Sequence, residues 1–200
     1  MRLTQSVPED VMVALFLRTE INSFRFRELL SNLLQRENVD RRMIDHPDLQ
    51  NAAENALRAH LLGEFRGYQR DGDVFTGFPD HVEWWWGVIS RADMERVKYI
   101  NDDYWTTFSG GTRFVRDAAQ RITAGEMEDV AAGYHSLAQS LAGSLLTGPC
   151  PPEPILLDNP KTDELVILEG HVRMTAYLLL PSQVLPELTV LIGRSECFYK

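Results

Sequence analysis

Apolar residues recur every three or four positions through most of the first 146 residues. This spacing is typical of amphipathic helices that bury one face. Five segments share it and are predicted to be helical: residues 11–35, 49–66, 94–100, 112–122 and 126–146. A break at Asn22–Ser23 within the first of them stays open. The N-terminal part of the chain is therefore predicted to be almost entirely helical.

Shorter apolar runs of the length of a strand lie mostly in the last quarter of the chain. Four of them are predicted strands: residues 82–89, 155–158, 165–168 and 188–193. The run at 165–168 is apolar at every position, as in a strand buried on both faces. The pattern predicts an α+β fold, with a helical N-terminal part (residues 1–125) packed on a small mixed sheet (residues 126–200). The two regions are expected to form one compact unit.

The strand predicted at 165–168 runs through a glycine directly into a helix. Glu169 and Gly170 end the strand, and helical spacing begins two residues later. Such a turn directs free backbone N–H groups and the positive end of the helix dipole at one point, where anions bind. His171 and Arg173 fall in the first turn, and an arginine can hold a phosphate through two parallel hydrogen bonds. The sequence therefore predicts an anion site here, and Arg194 or the serine after it is expected near the same pocket.

The residues around this turn resemble those of the ParB/sulfiredoxin superfamily. Gly170-His171-Val172-Arg173 is similar to its G-x-x-R box, residues 154–158 to its P-I-x-V strand and residues 188–192 to its last strand. The resemblance spans residues 127–195 and implies a sheet of that superfamily's kind. It also implies that the box closes over the phosphates of ATP or CTP, with Mg²⁺ carried mainly by the nucleotide and helped by Glu169 or Asp158. The nucleotide contacts that it implies are Gly170, His171, Arg173 and Thr175.

Local residues distinguish the branches of the superfamily. Sulfiredoxins have a nucleophilic cysteine after the glycine, where this chain has His171, so thiol repair is not expected. Chromosome-partitioning ParB proteins continue into a DNA-reading helix-turn-helix, whereas this chain stops soon after the last predicted strand. Free-serine kinases read D-G-H-H-R, to which residues 169–173 (E-G-H-V-R) are the most similar. That likeness implies phosphoryl transfer, with Glu169 and His171 as catalytic residues.

A structural interpretation of the same turn stays open beside this one. Gly170 would then only supply a positive φ angle, His171 would cap the helix, and Arg173 would pair with Glu169 or another carboxylate. The protein would be a non-enzymatic interaction module with the G-x-x-R turn as scaffold. A few matching residues do not decide between the two, because one fold hosts many functions.

A second glycine turn precedes the helix predicted to begin near Thr112. It offers hydroxyl and N–H groups followed by an arginine, in the residues Ser109, Gly110, Gly111, Thr112 and Arg113. Because these groups again lie at a helix start, a second anion site is predicted here. It is not a P-loop, since the glycine spacing differs and no lysine follows. Asp102 and Asp103 upstream either hold a metal ion or cap a turn, and modification of a small molecule or nucleoside would require both glycine turns to face one cleft.

Trp84, Trp85 and Trp86 are adjacent, so they cannot all face one way. In a strand, Trp84 and Trp86 share a face that Trp85 opposes. Packing in the core is the favoured interpretation, and a base-stacking platform or a protein-binding face is the alternative.

Charge and cysteine content narrow the class of protein further. The net charge of −9 is spread over both regions, which disfavours binding to nucleic acid. Two cysteines, Cys150 and Cys197, are too few for a disulfide framework, so a reducing compartment is expected. No apolar run is long enough to span a membrane. We expect a soluble, cytoplasmic protein that binds a phosphate-bearing small molecule, either as an enzyme or as a switch, and that is free to form homo-oligomers.

Overall fold

The structure is a computed structural model that describes residues 1–147 and 151–196. Cys150 and Cys197 lie outside the described residues. The helices within them are α1 (Glu9–Ile21), α2 (Arg27–Arg36), α3 (Arg42–Asp45), α4 (Ala52–Arg66), α5 (Arg91–Met94), α6 (Asp103–Phe108), α7 (Val115–Thr123), α8 (Glu128–Thr147) and α9 (His171–Leu179). The strands are β1 (Arg2–Val7), β2 (Glu83–Ser90), β3 (Val97–Lys98), β4 (Ile155–Asn159), β5 (Glu164–Glu169) and β6 (Glu187–Arg194). The predicted α+β class is confirmed.

The six strands form one mixed sheet in the order β1-β2-β6-β4-β5-β3. Strands β4 and β5 form an antiparallel hairpin, while β6 runs parallel to β4 and β3 parallel to β5. All five residues of β4 and the four central residues of β5 are buried. This burial explains why both strands are apolar at successive positions rather than at every second one. The four predicted strands are confirmed to within one residue at each end.

The structure differs from several sequence predictions: strands β1 and β3 were not predicted, and α4 begins at Ala52 rather than at residue 49. The first predicted helix is two helices, α1 and α2, separated at Asn22–Phe26. The helix predicted over 94–100 is wrong: Ser90 and Asp93 form the expected capping box, but the helix ends at Met94 and Val97–Lys98 is a strand. Pairing of these two residues with β5 outweighs the helical spacing. The helix predicted from Thr112 begins at Val115.

The chain divides into two compact units. Their boundaries differ from the one at residue 125 that separates the two regions predicted from the sequence. Among the described residues, one unit is Val7–Trp84, and the other consists of residues 1–6, 85–147 and 151–196. In the first unit α1 is buried along most of its length and packs against α2, α3 and α4. A helix that is apolar on nearly every side is the expected centre of a helical unit.

The second unit contains the element that carries the G-x-x-R box. Helix α9 packs against both α7 and α8. Its buried residues belong to one continuous apolar cluster with the inward faces of β4, β5 and β6. Position and direction of α9 are therefore fixed by the core. Within the described residues, no helix combines the length and the apolar character that crossing a membrane requires.

Candidate functional site

The start of α9 is set by Gly170, which directly follows β5. Gly170 has φ +101°, a left-handed conformation that residues with a Cβ rarely adopt. A Cβ at this position would lie 3.1 Å from Cβ of Pro154, so the site is tight as well as left-handed. Gly170, at the N-cap, has no side chain with which to cap α9; the first turn contains no acidic residue, and Val172 in that turn is 46% exposed. The positive end of the helix dipole is therefore not offset by an acid in the first turn.

Arg173 lies at this helix start, where its guanidinium donates a hydrogen bond to the Glu169 carboxylate. Both side chains are only 13% exposed. The pairing keeps the arginine beside the first turn of α9, and it also gives the arginine an anionic partner within the protein. A ligand anion must therefore compete with Glu169 for Nη2 of Arg173.

His171, the first residue of α9, lies in an aromatic cluster that contains residues from another part of the chain. Its ring stacks on that of Trp105, with centroids 4.9 Å apart and planes 15° apart. The Trp105 ring in turn stacks on that of Tyr99 at 4.6 Å. This packing fixes the orientation of the imidazole next to the box. No local feature of the sequence indicates it, because about 70 residues separate His171 from both partners.

Thr175 is fully buried, and its hydroxyl is used inside the protein. It donates to the carbonyl of His171 at 2.9 Å and shares a hydrogen bond with the Tyr99 hydroxyl. Burial raises the pKa of Tyr99, and burial likewise raises that of the neighbouring Tyr134. We therefore assign Thr175 to the support of α9 rather than to direct contact with a ligand.

Substituting Thr175 by valine tests this assignment. Valine keeps the shape but leaves the Tyr99 hydroxyl buried without its partner, so we expect a loss of about 1–3 kcal/mol in the free energy of unfolding. Chemical denaturation followed by tryptophan fluorescence measures that loss. Binding of any phosphate ligand to the folded variant should remain as in the wild type. If the variant is as stable as the wild type but fails to bind the phosphate ligand, Thr175 contacts the ligand directly and the assignment is wrong.

The second glycine turn ends a helix rather than beginning one. The N–H groups of Gly110 and Gly111 donate to the carbonyls of Thr107 and Thr106, at 3.0 and 2.8 Å. This is the pattern of a Schellman C-cap, here on α6. The predicted donors are thus occupied by the preceding helix.

The side chains of this turn are also engaged within the protein. Ser109 is buried and donates to the carbonyl of Trp105, and Thr112 donates to the carbonyl of Ser109. Arg113 donates two hydrogen bonds to the carbonyl of Tyr99, at 3.1 and 2.8 Å, and desolvation by burial lowers its pKa. The structure thus gives each residue predicted for the second anion site a partner within the protein. Asp102 accepts hydrogen bonds from two amides at the start of α6, so it caps that helix.

Asp158 and Arg194 form an ion pair at a different place in the sheet. The Arg194 Nε donates to the Asp158 carboxylate at 2.8 Å across β6 and β4. On β4, Asp158 is three residues beyond Ile155, the partner of Glu169 on β5. Three residues of strand correspond to about 10 Å. The expectations that Arg194 lies near the box and that Asp158 helps to bind a metal ion there are not supported.

The three adjacent tryptophans lie in strand β2, in agreement with the strand alternative. Trp84 is only 2% exposed, while Trp85 and Trp86 are half-buried. The favoured interpretation as packing residues agrees with this burial. Within the described residues no group of three or more histidine, cysteine, aspartate or glutamate side chains is arranged to hold a metal ion.

Comparison with known proteins adds no relative. No protein-family model matches the chain, and neither a curated protein nor a solved structure matches it. Any function must therefore be inferred from the residues described above.

Proposed function

We propose that the start of α9 binds the phosphates of a nucleotide, ATP or CTP with Mg²⁺, and that the protein is a nucleotide-dependent enzyme of the small-molecule kinase type. The observation that supports this proposal is the helix start itself. It has a left-handed glycine without a side chain at the N-cap, lacks an acid in its first turn and carries Arg173 beside that glycine. Helix ends of this kind bind phosphate through backbone N–H groups. The resemblance of the box to the ParB/sulfiredoxin superfamily is part of the same proposal.

Glu169 has a defined place in this proposal. Its carboxylate holds the Arg173 guanidinium at the helix start. A polyphosphate carries more negative charge than one carboxylate, so it would displace Glu169 from Arg173. The released carboxylate would then accept a proton from an acceptor hydroxyl, as a general base does. His171 would be held in place by Trp105.

Calorimetric titration with ATP, CTP and inorganic tripolyphosphate in the presence of Mg²⁺ tests the proposal. We expect Arg173→Ala to weaken binding of all three by at least about tenfold, because a charge-assisted contact to phosphate is lost. Glu169→Gln should strengthen binding by about tenfold, because it removes the competing charge and keeps the shape of the side chain. The same Glu169→Gln variant should lose any phosphoryl transfer, since an amide does not act as a base.

The matched control is Arg194→Ala, which breaks another arginine–carboxylate ion pair at a different place in the sheet. It should leave the affinity for each ligand unchanged. Thermal unfolding of every variant establishes that it is folded. Absence of binding in both the wild type and Glu169→Gln would show that the Glu169–Arg173 pair is structural and would refute the proposal.

A protein-interaction module is the second candidate function, and one feature of the helical unit favours it. Phe24, between α1 and α2, is 96% exposed, and Leu29 in α2 is 59% exposed. Exposed large apolar side chains close together in sequence are typical of contact surfaces. Self-association in light scattering, together with no heat from any nucleotide, would support this function instead.

A further inference from the structure

A cleft of ≈ 720 Å³ lies in the unit that contains the sheet, away from the box. Its lining residues come from α5 and the residue after it, from α7 and the segment that follows, and from the end of α9; the charged ones are Arg91, Glu95, Arg116 and Asp117. The volume is in the range of small-molecule sites. Leu178 is near the carboxyl end of α9, whose nine residues extend about 13 Å. The cleft is therefore separate from the proposed phosphate site at the other end.

Two of the four charged residues of the cleft, Arg91 and Asp117, use their charged groups in hydrogen bonds within the protein. The Arg91 guanidinium donates to the carbonyls of Tyr177, Leu178 and Leu180, at 2.8–3.1 Å, and so caps the end of α9. Desolvation by burial lowers the pKa of Arg91. The Asp117 carboxylate accepts from Nε of the adjacent Arg116 at 3.4 Å.

The other two charged groups have hydrogen-bonding capacity left over. Arg116 lies over the ring of Phe114, with 4.4 Å between its Cζ and the ring centroid. Its two terminal nitrogens have no hydrogen bond to any residue in the described ranges 1–147 and 151–196. The Glu95 carboxylate is half exposed, and its nearest cation is Nε of Arg91 at 4.0 Å, too far for a hydrogen bond. The Arg116 guanidinium, with two terminal nitrogens that can donate to a ligand, and the half-exposed Glu95 carboxylate thus line the same cleft.

We propose that this cleft binds a small zwitterion, namely an amino acid or a short peptide with free ends. The terminal nitrogens of Arg116 match a carboxylate through two parallel hydrogen bonds. The Glu95 carboxylate pairs with the ammonium group. Ala119, Ala124 and Leu178 line the same cleft and offer apolar surface to an aliphatic side chain. The opposite charges of the cleft disfavour a ligand with charge of only one sign, because one of the two groups would then face a like charge or no partner.

Calorimetric titration of the full chain with L-leucine and trileucine, and with N-acetyl-leucine and leucinamide, tests this assignment. N-acetyl-leucine lacks the ammonium and leucinamide lacks the carboxylate, so each should bind about ten- to hundredfold more weakly than leucine. Stronger binding of trileucine than of leucine would identify a peptide site, and the reverse an amino-acid site. Equal binding of leucine and its two derivatives, or no binding of any of the four, would overturn the proposal.

Variants of Arg116 and Glu95 test the contacts with the ligand carboxylate and the ligand ammonium separately. Arg116→Gln should remove the preference for leucine over leucinamide, and Glu95→Gln the preference for leucine over N-acetyl-leucine. Arg25→Gln is the matched control, since Arg25 lies over Phe26 at 5.0 Å but does not line the cleft. Arg173→Ala should not affect leucine binding, so failure of the nucleotide proposal and failure of this one are distinguishable. Unchanged preferences in both cleft variants would refute the assignment.

Discussion

Replacing Arg58 by alanine should severely destabilise the helical unit, although the residue is charged. Arg58 is fully buried, and its guanidinium donates to the carbonyls of Met43 and Asp48, at 3.2 and 3.0 Å. It also contacts the side chains of Glu54 and Asn55. Removing the side chain leaves these acceptors without their donor and leaves a void. We expect a loss of about 3–5 kcal/mol and a drop in Tm of roughly 10 °C.

Differential scanning calorimetry measures this effect, and Arg41→Ala provides the matched control. Arg41 is half exposed and pairs with Asp45 at 2.8 Å one helical turn away. An exposed pair of this kind contributes at most about 1 kcal/mol. If the two variants lower Tm equally, the interior hydrogen bonds of Arg58 do not stabilise the unit as described.

Gly67→Ala should be the second severely destabilising change. Gly67 ends α4 with φ +79°, and a Cβ there would collide with the backbone of Gly72, its carbonyl oxygen first. Backbone atoms cannot move aside as a flexible side chain does, so the turn between the two glycines must open. Left-handed strain adds about 1–2 kcal/mol to this collision. We expect a total loss of roughly 3 kcal/mol or more.

Gly125→Ala separates the collision from the strain. Gly125 has nearly the same φ, +78°, but nothing lies within 4 Å of a Cβ built there. This variant should lose only the left-handed strain, about 1–2 kcal/mol in urea denaturation. Equal losses in the two variants would mean that the α4 turn accommodates the methyl group.

The described residues contain the strands and the glycine turn that the sequence predicted, because those features depend on local chemistry. Continuous apolar runs report burial of both faces of a strand, which β4 and β5 show. A glycine between a strand and a helix indicates a left-handed backbone conformation that other residues avoid, as at Gly170. Ser90 and Asp93 form the expected capping box because all its atoms lie within four residues.

Only the tertiary structure shows which partners the side chains of the candidate site have. The sequence left open whether Arg173 is available or paired, and the structure pairs it with Glu169. The spacing of residues 94–100 is helical, yet Val97 and Lys98 form a strand because β5, nearly 70 residues away, pairs with them.

The cleft and the aromatic cluster have the same origin. Arg116 and Glu95 line one cavity, and His171 meets Trp105, only because separate elements pack together. Local periodicity determines which face of an element is buried. Which charged or aromatic side chains then meet depends on which elements become neighbours, and that is a property of the folded core.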